Sequence, residues 1–139
     1  PCGAGSTAVS ADPADGCIPD YSGKQLRQAP RTSASLYGKY IMELGDGHGS
    51  LSAKLNYRYQ DHSFYDPDNN DITVIPQYRI WDARVAWNSE DDKWEVAGWI
   101  KNIGDEEYRT HVYSQRAGTI AFATFGAPRT SGVTVTYNY

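Results

Sequence analysis

From residue 33 onward, apolar and polar residues alternate with a period of two, the spacing that sends successive side chains to opposite faces of a β-strand. In a first segment Ala34, Leu36, Gly38, Tyr40, Met42 and Leu44 share one face, and Ser33, Ser35, Tyr37, Lys39 and Glu43 the other. In a second, Leu51, Ala53, Leu55, Tyr57 and Tyr59 alternate with Ser52, Lys54, Asn56, Arg58 and Gln60. A third sets Trp81, Ala83, Val85 and Trp87 against Asp82, Arg84 and Asn88; a fourth sets Trp94, Val96, Gly98 and Ile100 against Glu95, Ala97, Trp99 and Lys101. In the last, Val133, Val135, Tyr137 and Tyr139 alternate with Gly132, Thr134, Thr136 and Asn138. The pattern predicts five strands of about 10 to 12 residues, enough to cross a tilted bilayer path that takes roughly 9 to 11.

The connections alternate in length. Gly45 to Gly49 and Ser89 to Lys93 are short polar turns, whereas Asp61 to Pro76 and Gly104 to Ala127 are long. Residues Pro1 to Gly23 carry no periodicity and read as another long loop. The uncharged stretch from Gly118 to Gly126 has room for extra strand beyond a membrane. Short turns at one end and long loops at the other describe an outer-membrane β-barrel, with its apolar face on lipid and its polar face on a wet lumen. Barrels of this kind have at least about 8 strands, so five form only part of a wall.

Composition narrows the reading. The chain has 139 residues and a net charge of -4, which makes nucleic acid an improbable partner. Eleven Tyr, four Trp and 13 Gly suit an all-β architecture with many turns. A mean hydropathy of -0.63 with no long apolar run gives no spanning helix, but barrel strands show lipid only every second residue. The start at Pro1, without an initiator Met or signal peptide, reads as a processed product or a piece of a longer chain.

Candidate chemistry is sparse. No nucleophile motif, HExxH pair or phosphate-cradling glycine loop occurs, so neither catalysis nor a cofactor is expected. His48, His62 and His111 are too scattered for a metal site. Asp66, Asp68 and Asn70 have the spacing that opens a calcium loop, but Ile72 and Gln77 stand where its glycine and glutamate belong, which favours a solvated acidic loop. Cys2 and Cys17 are the sole cysteines; in an exported protein they would pair, and closing about 15 residues adds roughly 3 kcal/mol in the chain-entropy account. The alternative is two free thiols in a tail. Lys54, Arg58, Asp82, Arg84, Glu95 and Lys101 fall on the lumen side and suit cross-strand charge pairing, or gating contacts in a complete barrel. Trp81, Trp87 and Trp94 sit near strand ends on the apolar side, where aromatic girdles form. Tyr65, Tyr113, Arg116 and Phe122 lie in the long loops as candidate ligand contacts.

The chain resembles the C-terminal end of a TonB-dependent outer-membrane receptor. The likeness rests on Gly23-Lys24-Gln25-Leu26 with Ala29-Pro30, on Trp81-Asp82-Ala83-Arg84-Val85, and on Trp94-Glu95-Val96-Ala97 followed by Lys101-Asn102-Ile103-Gly104-Asp105 and Tyr108. It extends to Gly126-Ala127-Pro128-Arg129-Thr130 and the strand from Gly132 to Tyr139. It implies the last five strands of a 22-stranded antiparallel barrel in the bacterial outer membrane, with residues 1–23 as an extracellular loop and 24–139 as strands and loops. It also implies active uptake of a scarce nutrient such as a siderophore, cobalamin or saccharide. The partners implied are the plug and remaining strands of the same receptor, the TonB, ExbB and ExbD proteins acting through that plug, and outer-membrane lipid. Val133, Val135, Tyr137 and Tyr139 resemble the final-strand signal read by the BAM assembly machinery. The rival reading is a soluble all-β binding module with one disulfide, in which a second sheet must cover the aromatic face.

Overall fold

Alternation becomes hydrogen-bonded sheet over most of the chain. A computed structural model describes residues 6–8, 17–115 and 120–139. In chain order the strands are β1 (Ser6–Ala8), β2 (Cys17–Pro19), β3 (Ser33–Glu43), β4 (Ser50–Gln60), β5 (Ser63–Phe64), β6 (Val74–Ile75), β7 (Tyr78–Asn88), β8 (Trp94–Lys101), β9 (Arg109–Gln115), β10 (Ile120–Phe125) and β11 (Thr130–Tyr137). The one helical element among the described residues is a single 3-10 turn, Asp71–Thr73.

Five long strands form one antiparallel sheet in the spatial order β11-β8-β7-β4-β3. Its register carries the sequence pattern across the sheet. Tyr40, Ala53, Val85, Gly98 and Val133 lie in one row, and Met42, Leu51, Trp87, Val96 and Val135 in the next. On the opposite face Lys39, Lys54, Arg84, Trp99 and Gly132 form a row. A slip of one residue at any strand would move its polar set among the apolar ones, so a two-sided sheet strongly specifies register.

The apolar face has no cover among the described residues. Leu36 and Tyr40 are each 68% exposed and Val133 is 74% exposed, which no sandwich core tolerates. Burial lies instead on the polar side and above the sheet. Ala86 and Ala97, opposite one another in β7 and β8, are covered by the longer side chains around them. Ser63, Thr73, Ile75 and Val112 form a small buried cluster where the long connections meet.

The structure adds elements to the loops. Residues 1–23, expected to be irregular, include the paired β1 and β2; such short segments carry too few residues for a period to register. The 61–76 connection contains the β5–β6 hairpin, and the uncharged stretch supplies β10, paired with β9. β7 begins at Tyr78, three residues before the predicted start at Trp81, because Arg79 breaks the apolar alternation without breaking the strand. Cys2 and the side chain of Cys17, expected to pair in a disulfide, lie outside the described residues.

Both short turns depend on residues that adopt positive φ. In the β3–β4 turn Leu44 N–H donates to Gly49 O at 2.9 Å and His48 N–H to Gly45 O at 3.0 Å. Gly45 (φ +68) has open space beside it, whereas a Cβ on Gly49 (φ +76) would stand 1.9 Å from Asn88 O. In the β7–β8 turn Asp91 Oδ1 accepts from Ser89 Oγ at 2.7 Å and from Lys93 N–H at 3.2 Å. The Ser89 hydroxyl bond, followed by the Lys93 amide, holds the Asp91 carboxyl below its ordinary value of 3.8.

Two outcomes follow from the turns. Gly45→Ala is expected to destabilise by about 1 kcal/mol through φ strain alone and Gly49→Ala by clearly more, read from the denaturant midpoint of tryptophan fluorescence. Because the folded Asp91 pKa is depressed, its contribution is present above the unfolded pKa and fades as pH falls through the folded value. Ser89→Ala should therefore raise the Asp91 pKa towards its ordinary value, seen by carboxyl-carbon NMR titration; an unchanged pKa would show that the Ser89 bond is not its cause.

Candidate functional site

The polar face of the sheet is a shallow trough of charged and amide side chains. Arg84 Nη2 donates to Glu95 Oε1 at 2.7 Å across β7 and β8, with both side chains about a third exposed or less. Solvent screening leaves such a pair modest, and its main effect is to fix two long side chains over the alanines. Asp82 accepts from Asn102 N–H at 2.9 Å. The Lys101 ammonium stands 5.7 Å from the Trp99 ring centroid, a loose cation–π contact. Trp99 lies across Gly132, where a Cβ would come within 2.7 Å of the ring, and its Nε1 donates to Thr134 Oγ1 at 3.2 Å. A cavity of about 320 Å³ opens here, lined by Lys54, Asn56, Asp82, Arg84, Trp99 and Lys101 among others.

All six charges predicted for the lumen side thus lie on one face, but a single ion pair joins them among the described residues. Lys39 sits directly opposite Lys54 in the register, a like-charge pairing that disfavours the bare sheet. Sequence reasoning did not single out Lys39 or Trp99, although both fall on the polar side of the alternation. What was missing was the strand partner, which only pairing supplies.

Above the sheet, three connections interlock. Gln25 N–H donates to Asn69 Oδ1 at 2.7 Å, and Asn69 Nδ2 donates back to Gln25 O at 3.0 Å. Gln25 Nε2 reaches Ala29 O and His62 O, and Gln28 N–H donates to Phe64 O. Arg27 lies 4.3 Å over the Tyr65 ring, whose edge-on neighbour is His111 of β9 at 4.8 Å. Arg109 Nη1 donates to Val74 O at 3.3 Å.

A second clamp holds the connection between β8 and β11. Asn102, 3% exposed with φ +50, donates through Nδ2 to Glu106 O and Ala127 O and accepts from Glu106 N–H at 2.9 Å. Asp105 Oδ1 accepts from Arg129 N–H at 2.8 Å. Tyr108 covers Gly126, where any Cβ would overlap its ring, and stacks on Tyr78 at 4.8 Å.

Of the candidate loop contacts, Tyr65 is half-buried in the stack with Arg27 and His111, whereas Phe122 and Tyr113 face each other in the β9–β10 register and are exposed. Arg116 lies outside the described residues. Asn70 turns its side-chain oxygen to Ile72 N–H at 3.0 Å, capping the 3-10 turn. No group of three or more His, Cys, Asp or Glu side chains positioned for a metal occurs among the described residues, Asp66 and Asp68 included. Val133, Val135 and Tyr137 lie exposed along edge strand β11, with Tyr137 packed against Trp94 at 4.7 Å.

A family profile described as TonB dependent receptor-like, beta-barrel, matches residues 7–103, well over half of the chain. The chain belongs to that family. The solved ferric yersiniabactin uptake receptor FyuA from Yersinia pestis superposes on 86% of the chain with a TM-score of 0.73 at 21% identity. The siderophore receptor PiuA from Acinetobacter baumannii superposes on 91% with a TM-score of 0.71 at 23% identity. At these identities the likeness is one of fold. The chain spans 18% and 16% of those two structures, less than a fifth of their length. No curated protein matches the chain.

The sheet is therefore a segment of a TonB-dependent receptor barrel, open at β3 and β11. Several residues that carry the family resemblance are clamps: Gln25 ties one loop down, and Asn102, Asp105 and Tyr108 tie another. Asn102→Ala removes three buried hydrogen bonds and is expected to cost about 2 to 4 kcal/mol locally. The measurement is limited proteolysis: cleavage within residues 104–127 should accelerate while cleavage at the β3–β4 turn does not.

Proposed function

We propose that this chain is the C-terminal portion of an outer-membrane receptor for active uptake of a scarce nutrient, coupled to the proton-motive force through TonB, ExbB and ExbD. The observation that carries the reading is the five-stranded sheet with one uncovered apolar face, one charged face, and connections that alternate short and long. Such a sheet needs lipid on one side and a wet interior on the other. The rival soluble module would need a second sheet over Leu36, Tyr40 and Val133, and the described residues supply none.

The polar face would border the plug of the same receptor. TonB would act through that plug, so this segment serves as wall and outer rim and carries no catalytic role. The names of the two structural relatives favour a ferric siderophore over cobalamin or a saccharide. Exposed Phe122 and Tyr113, at the long-loop end, are the residues we assign to ligand contact. Edge strand β11, with Val133, Val135 and Tyr137, together with Tyr139 just beyond it, is assigned to recognition by the BAM machinery during insertion.

The topology is tested in intact cells that express the complete receptor. A cysteine at Phe122→Cys should react with a membrane-impermeant maleimide, and one at Asp46→Cys should react only after the outer membrane is permeabilised. Labelling of both positions in intact cells would overturn the orientation. Growth on ferric siderophore under iron limitation, lost with the receptor or with a protonophore, tests the transport reading.

A further inference from the structure

The polar face of the sheet carries charge that its own residues do not offset. Lys39, Lys54 and Arg84 stand side by side in one row, so Lys54 has a cation on either flank. Arg84 has its carboxylate in Glu95. Lys39, Lys54, Arg58 and Lys101 have none within ion-pair distance among the described residues. Asp82 lies among these cations and accepts the Asn102 amide, while Glu43 stands at the far end of β3, beside the short turn.

The missing negative charge has to come from above the face. Lys54 lies in β4, whose two edges are taken by β3 and β7, so no further strand can come beside it. Two like charges directly opposite each other on adjacent strands disfavour the pairing unless something neutralises them. The cations are also spread out. From Lys54 to Arg58 is about 13 Å along the strand, and from β3 to β8 is about 14 Å across the sheet, at the usual strand rise and spacing. One small anion does not span that patch, whereas an extended segment with several carboxylates does. Cavities of about 320 Å³ and about 450 Å³ open on this face, one beside Lys54 and Lys101 and the other beside Tyr37 and Arg58. Asn56 and Asp82 border both, and with Ser35 and Tyr37 they offer neutral hydrogen-bonding groups suited to peptide backbone.

We propose that Lys39 and Lys54, with Arg58 and Lys101, seat an acidic peptide segment of the receptor's own plug, whose carboxylates face these cations from the lumen. The inference rests on the reading above, in which the polar face borders the plug, and adds the sign of the surface that meets it. It is independent of which nutrient is carried.

The test uses the complete receptor extracted from outer membranes in mild detergent. A zero-length carbodiimide joins a lysine amine to a carboxylate in direct contact with it, and mass spectrometry of the peptides reads the pairs. Lys93, 3.5 Å from Asp91, is the internal control. Lys39 or Lys54 is expected to couple to an Asp or Glu of the plug; if both stay uncoupled, or couple only to barrel strands, the proposal is overturned. Limited proteolysis of the plug adds a test of sign. In a bare sheet Lys39→Gln removes a repulsion and tightens the structure. With an acidic segment seated above, it removes an attraction, and plug cleavage is expected to accelerate roughly threefold to tenfold, with Lys39→Arg close to wild type because it keeps the charge. Unchanged or slower cleavage in Lys39→Gln would overturn the proposal. So would weaker nutrient binding with the plug as tight as before, the result expected of a site for a small anion. Heat-dependent gel mobility and co-sedimentation with the outer membrane report the barrel reading separately. If those fail, both inferences fall; if they hold and Lys39 makes no difference, only the acidic seat does.

Discussion

Backbone hydrogen bonding is the constraint on which this chain depends, and it is most severe in the water-free medium of the proposed setting. A strand in hydrocarbon cannot leave its amides and carbonyls open, so its neighbours must satisfy them. Register then decides everything else, because a period of two gives each strand only two ways to face. The five strands solve this together: every row on one side is apolar or small through the middle of the sheet, and the opposite rows hold Lys54, Arg58, Asp82, Arg84, Glu95 and Lys101. The strands at the two borders, β3 and β11, satisfy the constraint on one side only within this segment.

Much of this was legible in the sequence because a two-sided sheet imposes its pattern residue by residue. Alternation located the five long strands and their faces. Arg79 hid the first turn of β7, since a single cation among aromatic residues looks like the end of a strand. The small elements were not legible. β1, β2, β5 and β6 are two or three residues long and each pairs within its own connection, too short a run for local periodicity to register.

The site shows a similar division. Which residues share the polar face follows from parity, but their partners do not. Arg84 and Glu95 pair because β7 and β8 adjoin, and Lys39 meets Lys54 because β3 and β4 do. The loop residues needed three-dimensional contacts to be read at all. Tyr65 looks like a free aromatic in sequence and is a packing element in the fold, whereas Gln25 and Asn102 look like ordinary amides and hold the loops in place.

The interlocking of the long connections bears on how such a rim diversifies. Gln25 with Asn69, Arg27 with Tyr65 and His111, and Arg109 with Val74 bind three separate stretches of chain over the small cluster at Ser63, Thr73 and Val112. Tips such as exposed Phe122, paired with Tyr113 in β9–β10, make none of these tying contacts. The base behaves like a fixed mount and the tips like interchangeable fittings. Substitutions at the tips can then change what the rim touches while the mount, and the register of the wall beneath it, stays as it is.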